Sequence, residues 1–156
     1  MDQILKWFFL YVGIIATSII VVVCMNVLLL YRSVEDNLYL ANTATYSSID
    51  LNRVREFNEL AFVDQTEAEK MFRQTLKNAF DLDDNLSPTE QSSKAIAGPI
   101  RIRELSLKNE NEAKTLGGTK LNKNPAVYSK IEVPISILGI TITSNVSVLT
   151  ILPTSY

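Results

Sequence analysis

The sequence has no histidine and only one cysteine, Cys24. A Ser-His-Asp triad and a Cys-His pair both need histidine, and structural zinc sites need several cysteine or histidine ligands. A single cysteine also cannot form a disulfide bond within the chain. No other motif points to a reaction. We therefore predict no catalytic residue, no cofactor and no bound metal, and we do not expect the chain to be an enzyme.

The nearest approach to a metal site is the acidic segment Asp81-x-Asp83-x-Asn85, which matches the first half of a calcium-binding loop. The glycine that such a loop needs next is replaced by Leu86. Ser92 stands at the twelfth position, where a glutamate would bind the ion. The segment is therefore better explained as an acidic end to the preceding helix.

Long hydrophobic runs are also scarce, and the chain has only one. Residues 7–31 are 25 consecutive residues without a charge or a proline. A helix of that length, at about 1.5 Å per residue, is roughly 37 Å long and can span a hydrocarbon core of about 30 Å. Trp7 and Tyr31 are the first and last residues of the run, as in an aromatic belt. We predict that residues 1–32 are a single-pass anchor in contact with membrane lipid. A signal peptide is the alternative, although its apolar region is usually only about 7–15 residues long.

The charges on either side of this run predict its orientation. Lys6 precedes the run, whereas Arg32 follows it and is succeeded at once by Glu35 and Asp36. Cytoplasmic flanks carry an excess of lysine and arginine. The sequence therefore favours a short cytoplasmic N-terminus and an extracytoplasmic domain formed by residues 33–156.

Small residues are grouped within the predicted anchor. Gly13 and Thr17 are four residues apart and share one helix face, and Ala16 lies next to them in the sequence. Small residues at this spacing let helices approach closely in lipid. We predict that Gly13, Ala16 and Thr17 form a helix–helix packing site, and that the chain associates with its own copies through it. Ordinary membrane-helix composition is the alternative.

Helix-breaking residues are absent between positions 14 and 87, where there is no glycine or proline. The sequence thus predicts one helix from about residue 3 to 48, with residues 33–48 amphipathic. A second amphipathic helix is predicted at 65–80, capped by Asp64 or Thr66. Residues 50–63 are compatible with helix, turn or strand. The predicted apolar stripes are Val34, Leu38, Ala41, Ala44, Thr45 and Ile49 in the first helix, and Ala68, Met71, Phe72, Thr75, Leu76, Ala79 and Phe80 in the second.

A period of two replaces the helical period after a polar connector at 81–98. We predict a sheet over residues 99–152, with a bulge near Arg103 and Glu104 where the apolar parity changes. Residues 109–124, which contain Gly117 and Gly118, are expected to form a long polar loop.

The last third of the chain predicts a β-hairpin. The apolar parity reverses across Leu138 and Gly139, as a two-residue turn requires. The pairs that this turn implies are Ile137 with Ile140, Ile135 with Ile142, and Ile131 with Val146. Pro134 cannot donate a hydrogen bond, so its strand should be bulged there or lie at an edge. The predicted fold class is α+β, with three or four antiparallel strands covered by helix on one face.

Charge is segregated along the chain. Residues 35–90 hold 12 acidic and 5 basic residues, a net charge of −7, and residues 94–156 hold 8 basic and 4 acidic residues, a net charge of +4. The basic segment lacks interleaved aromatic residues, and the isoelectric point of the whole chain is about 5.2. We therefore expect no nucleic-acid partner.

The order of these segments resembles a pilin, and more narrowly the TadE-like minor pilins of tight-adherence pili. The resemblance is carried by the anchor, by Leu38–Ala44, by Phe72–Phe80 and by the closing hairpin from Val133 to Ile142. It implies a pilin-like fold and a structural subunit whose N-terminal helix first anchors it in the bacterial cytoplasmic membrane. That helix would then pack with copies or other pilin-like subunits in the core of an extracellular filament.

The sequence departs from type IV pilins in one respect. No prepilin-peptidase site precedes Trp7, and the apolar run holds no glutamate. A minor pilin, an unprocessed pilus-assembly protein and a different filament subunit therefore remain alternatives. So does a non-catalytic accessory subunit of a larger secretion, conjugation or pilus-assembly complex.

Overall fold

A computed structural model describes residues 2–121, 123–137 and 139–152 of the chain. Its contacts divide the chain into two units, Met1–Ser33 and Val34–Tyr156. The elements are three α-helices, one 3₁₀ turn and five strands among the described residues. They are α1 (Asp2–Ala44), the 3₁₀ turn (Thr45–Ser48), α2 (Leu51–Phe57), α3 (Gln65–Phe80), β1 (Arg101–Lys108), β2 (Lys114–Leu116), β3 (Thr119–Leu121), β4 (Ala126–Ile137) and β5 (Ile140–Ile151).

Helix α1 ends at Ala44, four residues before the predicted end of the first helix at 48. The hydroxyls of Thr45, Ser47 and Ser48 each donate to a carbonyl three residues earlier. Hydroxyl groups that bond the local backbone in this way compete with α-helical geometry, and the last turn tightens to 3₁₀. Four of the six residues of the predicted stripe, Val34, Leu38, Ala41 and Thr45, are inaccessible to solvent, and Ala44 and Ile49 are partly buried.

The two other helices begin at aspartate caps. Asp50 accepts from the backbone N–H groups of Asn52 and Arg53, and this cap begins α2 in the segment whose structure the sequence left open. Asp64 accepts from the N–H of Thr66 and begins α3, whose bounds match the predicted 65–80. The buried residues of α3 are Ala68, Phe72, Leu76 and Phe80, all members of its predicted apolar stripe.

The main sheet has three antiparallel strands in the order β1–β4–β5, which confirms the α+β class. The register of β1 on β4 shifts between Ile102 and Glu104, at the predicted bulge. Strand β5 pairs with β4 without interruption, and Ile137 lies opposite Ile140. Gly139 has φ of 81°, a left-handed conformation that glycine adopts without a steric penalty. Leu138, the other predicted turn residue, lies outside the described residues.

Pro134 lies in the central strand of this sheet and not in an edge strand, and the register beside it is continuous. The prediction that this strand is bulged at Pro134 or lies at an edge of the sheet is therefore wrong. The physical reason is that β1 pairs with β4 only as far as Glu132. Beyond that point the neighbour is the connector, where the N–H of Ala97 donates to the Pro134 carbonyl at 2.8 Å. Locally, Pro134 has no continuous strand on that side.

Residues 109–124 do not form the predicted loop without secondary structure. They contain β2 and β3, which pair across Gly117 and Gly118. Both glycines have positive φ, 54° and 81°, which allows a two-residue turn. Leu116 and Leu121 are buried in a small cluster with Ala126, against which Tyr128 and Leu149 pack. Two leucines in a polar stretch were too weak a signal to predict this hairpin.

The far end of the β4–β5 hairpin lacks the helical cover that the sequence predicted. Ile140 and Ile142 are 65% and 54% exposed, whereas Val146 on the same face is buried. Asn42 and Tyr46 form hydrogen bonds with β5 at Val148 and Thr150, near the other end of the strand. A strand of 12 residues is roughly 40 Å long and extends past that contact.

Substitution of Gly117 by alanine should destabilise the domain by about 2–4 kcal/mol, because it combines overpacking with a positive φ. A Cβ atom at Gly117 would lie 2.5 Å from Cε2 of the Tyr128 ring. Gly118→Ala is the matched control, since Gly118 also has positive φ but no atom within 4 Å of its Cβ position. We expect Gly118→Ala to cost only about 1 kcal/mol. Urea unfolding of both variants measures the difference, and equal losses would contradict a contact with Tyr128.

Candidate functional site

The most unusual surface of this protein is the apolar N-terminal part of α1. The described residues contain one helix long and apolar enough to cross a membrane, spanning Gln3–Ser48, and its most apolar stretch has no buried residue. Large side chains such as Trp7, Phe9, Ile20 and Leu28 are about 60% exposed. Contiguous exposed apolar surface of this extent marks a site of contact with lipid or protein.

A groove lies on one face of this helix. It has a volume of about 590 Å³ and is lined by Leu10, Gly13, Ile14, Thr17, Ser18, Val21 and Val22. Gly13 and Thr17, predicted as packing residues, lie together in it. Ala16, which was grouped with them, is not among the lining residues. The groove exists because small residues stand between larger aliphatic ones.

The two hydroxyl groups in the groove are already paired within the helix. Thr17 Oγ1 donates to the carbonyl of Gly13, and Ser18 Oγ donates to the carbonyl of Ile14, both at 2.8 Å. Buried hydroxyls without a partner are costly in an apolar medium. Since these donors are satisfied, the groove can be covered by lipid or by an apolar helix without leaving an unpaired donor.

The side of Gly13 is open in the isolated chain. A Cβ atom built at this position would meet no atom within 4 Å. Glycine is therefore not required here by any contact inside the chain. A packing role for Gly13 can be exerted only against a second molecule.

Two clefts within residues 34–156 have charged residues in their lining. One, of about 230 Å³, is lined by Gly98, Pro99, Arg101, Glu132, Pro134 and Thr143. Arg103 forms an ion pair with Glu132 at 2.7 Å, and this hydrogen bond lowers the pKa of the Glu132 carboxyl. A partly exposed ion pair of this kind stabilises a structure only weakly. Its carboxylate is engaged by arginine rather than poised for acid–base chemistry.

The second cleft contains the segment that resembled half of a calcium loop. It has a volume of about 360 Å³ and includes Lys77, Asp83 and Asp84. Asp83 Oδ1 accepts from the backbone N–H groups of Asn85 and Ser87, each at 2.8 Å. The Lys77 ammonium group donates a hydrogen bond to the Asp84 carboxylate, and this lowers the pKa of the Asp84 carboxyl. Within the described residues no three acidic, cysteine or histidine side chains gather in a way that could hold a metal ion.

Two of the buried polar residues, Asn42 and Lys108, were not predicted from the sequence. Asn42 is fully buried and its Nδ2 donates to the Val148 carbonyl and to Thr150 Oγ1, both at 3.1 Å. Lys108 is also buried and donates to the carbonyls of Asn109 and Asn124, and burial lowers its pKa. Asn42 follows Leu38 by four residues, so its position on the stripe was a signal. The Nδ2 group of Asn42 and the ammonium group of Lys108 therefore donate to acceptors inside the domain, which indicates a structural role.

The chain matches no protein-family model, and neither a curated protein nor a solved structure is similar to it.

Proposed function

We propose that this protein is a structural subunit of a pilus-like filament, of the kind represented by the TadE-like minor pilins. In this proposal α1 anchors the chain in the bacterial cytoplasmic membrane, with a short cytoplasmic N-terminus and an extracytoplasmic domain. On assembly α1 leaves lipid and packs against neighbouring subunits. The carrying observation is the exposed apolar helix with an open groove at Gly13 and Thr17.

The energetics support two alternating environments for α1. Removing one large apolar side chain from water is worth about 1.5–3 kcal/mol, so the exposed part of α1 is incompatible with a free monomer in water. Lipid tails and other apolar helices remove this apolar surface from water about equally well. Exchange between them then depends on close packing, for which small residues are needed. Gly13 and Thr17 provide them.

The core, the clefts and the internal hydrogen bonds of the domain support a structural role. Residues 34–156 contain a buried hydrophobic core. Glu132 in one of the two clefts described above, and Asp84 in the other, are each paired with a basic side chain. Part-buried hydrogen bonds from Asn42 in α1 and from Tyr46 in the 3₁₀ turn join these elements to β5 of the β1–β4–β5 sheet. A folded unit of this kind suits the outer surface of a filament.

Electron microscopy of material sheared from cells that make this chain tests the proposal. With an antibody against the domain, we expect gold label along filaments, and no label on material from cells lacking the chain. Label that stays with the membrane fraction while the sheared material is unlabelled would contradict the filament role. That result would favour the alternative, an accessory subunit of a membrane-embedded secretion, conjugation or assembly complex.

A further inference from the structure

The two edges of the main sheet differ in how well they are protected. Unpaired strand edges template pairing with other chains, and proteins blunt them with charges, prolines, bulges or short length. The β1 edge has such features: it is eight residues long, is bulged near Arg103 and carries charges at Arg101, Arg103, Glu104 and Lys108.

The β5 edge has none of them. This strand has 12 residues, contains no charged residue and no proline, and pairs with β4 without a bulge. Among the described residues it has a neighbouring strand on one side only. Thr141, Thr143, Asn145 and Ser147 are exposed along it.

The register identifies which backbone groups of β5 point outward. The N–H of Leu152 donates to the Pro125 carbonyl, so even-numbered residues of this segment face β4. In an antiparallel pair the direction alternates with each residue. The N–H and C=O groups of the odd-numbered residues, from Thr141 to Ile151, therefore point away from the sheet.

We propose that β5 pairs antiparallel with β5 of a second copy of this chain, joining two three-stranded sheets into one of six strands. The absence of charge on β5 favours a second copy of β5 as its partner. A strand without charge meets its own copy without repulsion, whereas the β1 edge carries net positive charge and a bulge.

The outward groups restrict the register of this pairing. Odd-numbered residues must lie opposite odd-numbered residues, and the longest overlap is centred on Val146. In that register Asn145 lies opposite Ser147 of the second copy, and Thr143 lies opposite Leu149. Directly paired residues have Cα atoms about 5.5 Å apart, within the range that a disulfide bond spans.

Cysteine cross-linking in cells tests the proposal. Two differently tagged full-length chains, both Cys24→Ser, carry Asn145→Cys and Ser147→Cys respectively. After mild oxidation we expect a mixed dimer on a non-reducing gel, severalfold above the level given by two Thr119→Cys chains. Dimers of Asn145→Cys alone would also support β5 pairing, with the register shifted by two residues. Yields no higher than the Thr119→Cys control would overturn the proposal, as would preferential cross-linking of Asn145→Cys to a Ser106→Cys chain, which would assign the contact to β1.

Two further variants separate pairing from folding. Thr143→Pro removes one outward N–H and leaves the β4–β5 ladder intact, and Thr143→Lys adds a charge to the edge. Either change should reduce the mixed cross-link severalfold while the urea midpoint of the domain changes little. An undiminished cross-link in both variants would contradict edge pairing. Because filaments need α1 and this contact needs β5, filaments formed without the cross-link would refute this inference alone.

Discussion

Gly13→Leu is expected to abolish assembly of the chain while leaving it folded and membrane-bound. The leucine side chain fills the groove between Leu10, Ile14 and Thr17 and pushes a neighbouring helix away. Nothing within the chain resists the change, because no atom lies within 4 Å of a Cβ at Gly13. Leucine also suits a membrane helix better than glycine does. Loss of filaments from sheared material, with a normal amount of chain in the membrane, is the expected result.

Ile15→Phe is the matched control for this variant. Residue 15 is about 200° around the helix from Gly13, on the opposite face, and the substitution also adds volume to an exposed apolar position. We expect filament yield to fall far less than in Gly13→Leu. Normal filaments from Gly13→Leu would show that this face is not closely packed. Equal loss in both variants would indicate a general sensitivity of the helix to size.

Phe72→Ala is expected to lower the free energy of unfolding of the domain by about 3–5 kcal/mol. Phe72 is the largest of the fully buried side chains among the described residues, and it lies at the middle of α3. Domains are typically stable by only about 5–15 kcal/mol, so the variant should be marginal. Pulse proteolysis of the full-length chain across a urea series measures the shift in midpoint.

Phe57→Ala supplies the control, because Phe57 is 65% exposed in α2. It removes the same atoms from a position that leaves no buried cavity, and its cost should stay near 0.5 kcal/mol, as for other surface substitutions. Equal losses from both substitutions would contradict the placement of α3 in the core. A larger loss from Phe72→Ala supports it.

Periodic elements of this fold could be predicted from the sequence. The bounds of α3 and the register of the β4–β5 hairpin are local properties, set by an aspartate cap, an apolar stripe and a reversal of parity. These signals lie within a few residues of one another, where spacing decides which face each side chain occupies. For the same reason the sequence predicts that Gly13 and Thr17 share one face of α1, and both line the groove.

Features that depend on contacts between distant segments could not be predicted. The Glu110 carboxylate accepts the Leu60 N–H at 2.8 Å, and Asn109 accepts the N–H of Phe62, across about fifty residues. The β2–β3 hairpin likewise depends on Tyr128 as a packing partner. The exposure of Ile140 and Ile142 depends on how far the helices reach over the sheet. The spacing of residues within one segment does not determine how distant segments contact each other.

The fate of the apolar helix decides the whole account, and mass spectrometry of the mature chain recovered from the cell surface measures it directly. We expect peptides covering Trp7 to Tyr31 to be present in the assembled protein. A mature chain that starts after Tyr31 would contradict the account, because the groove at Gly13 would then be absent from any assembly.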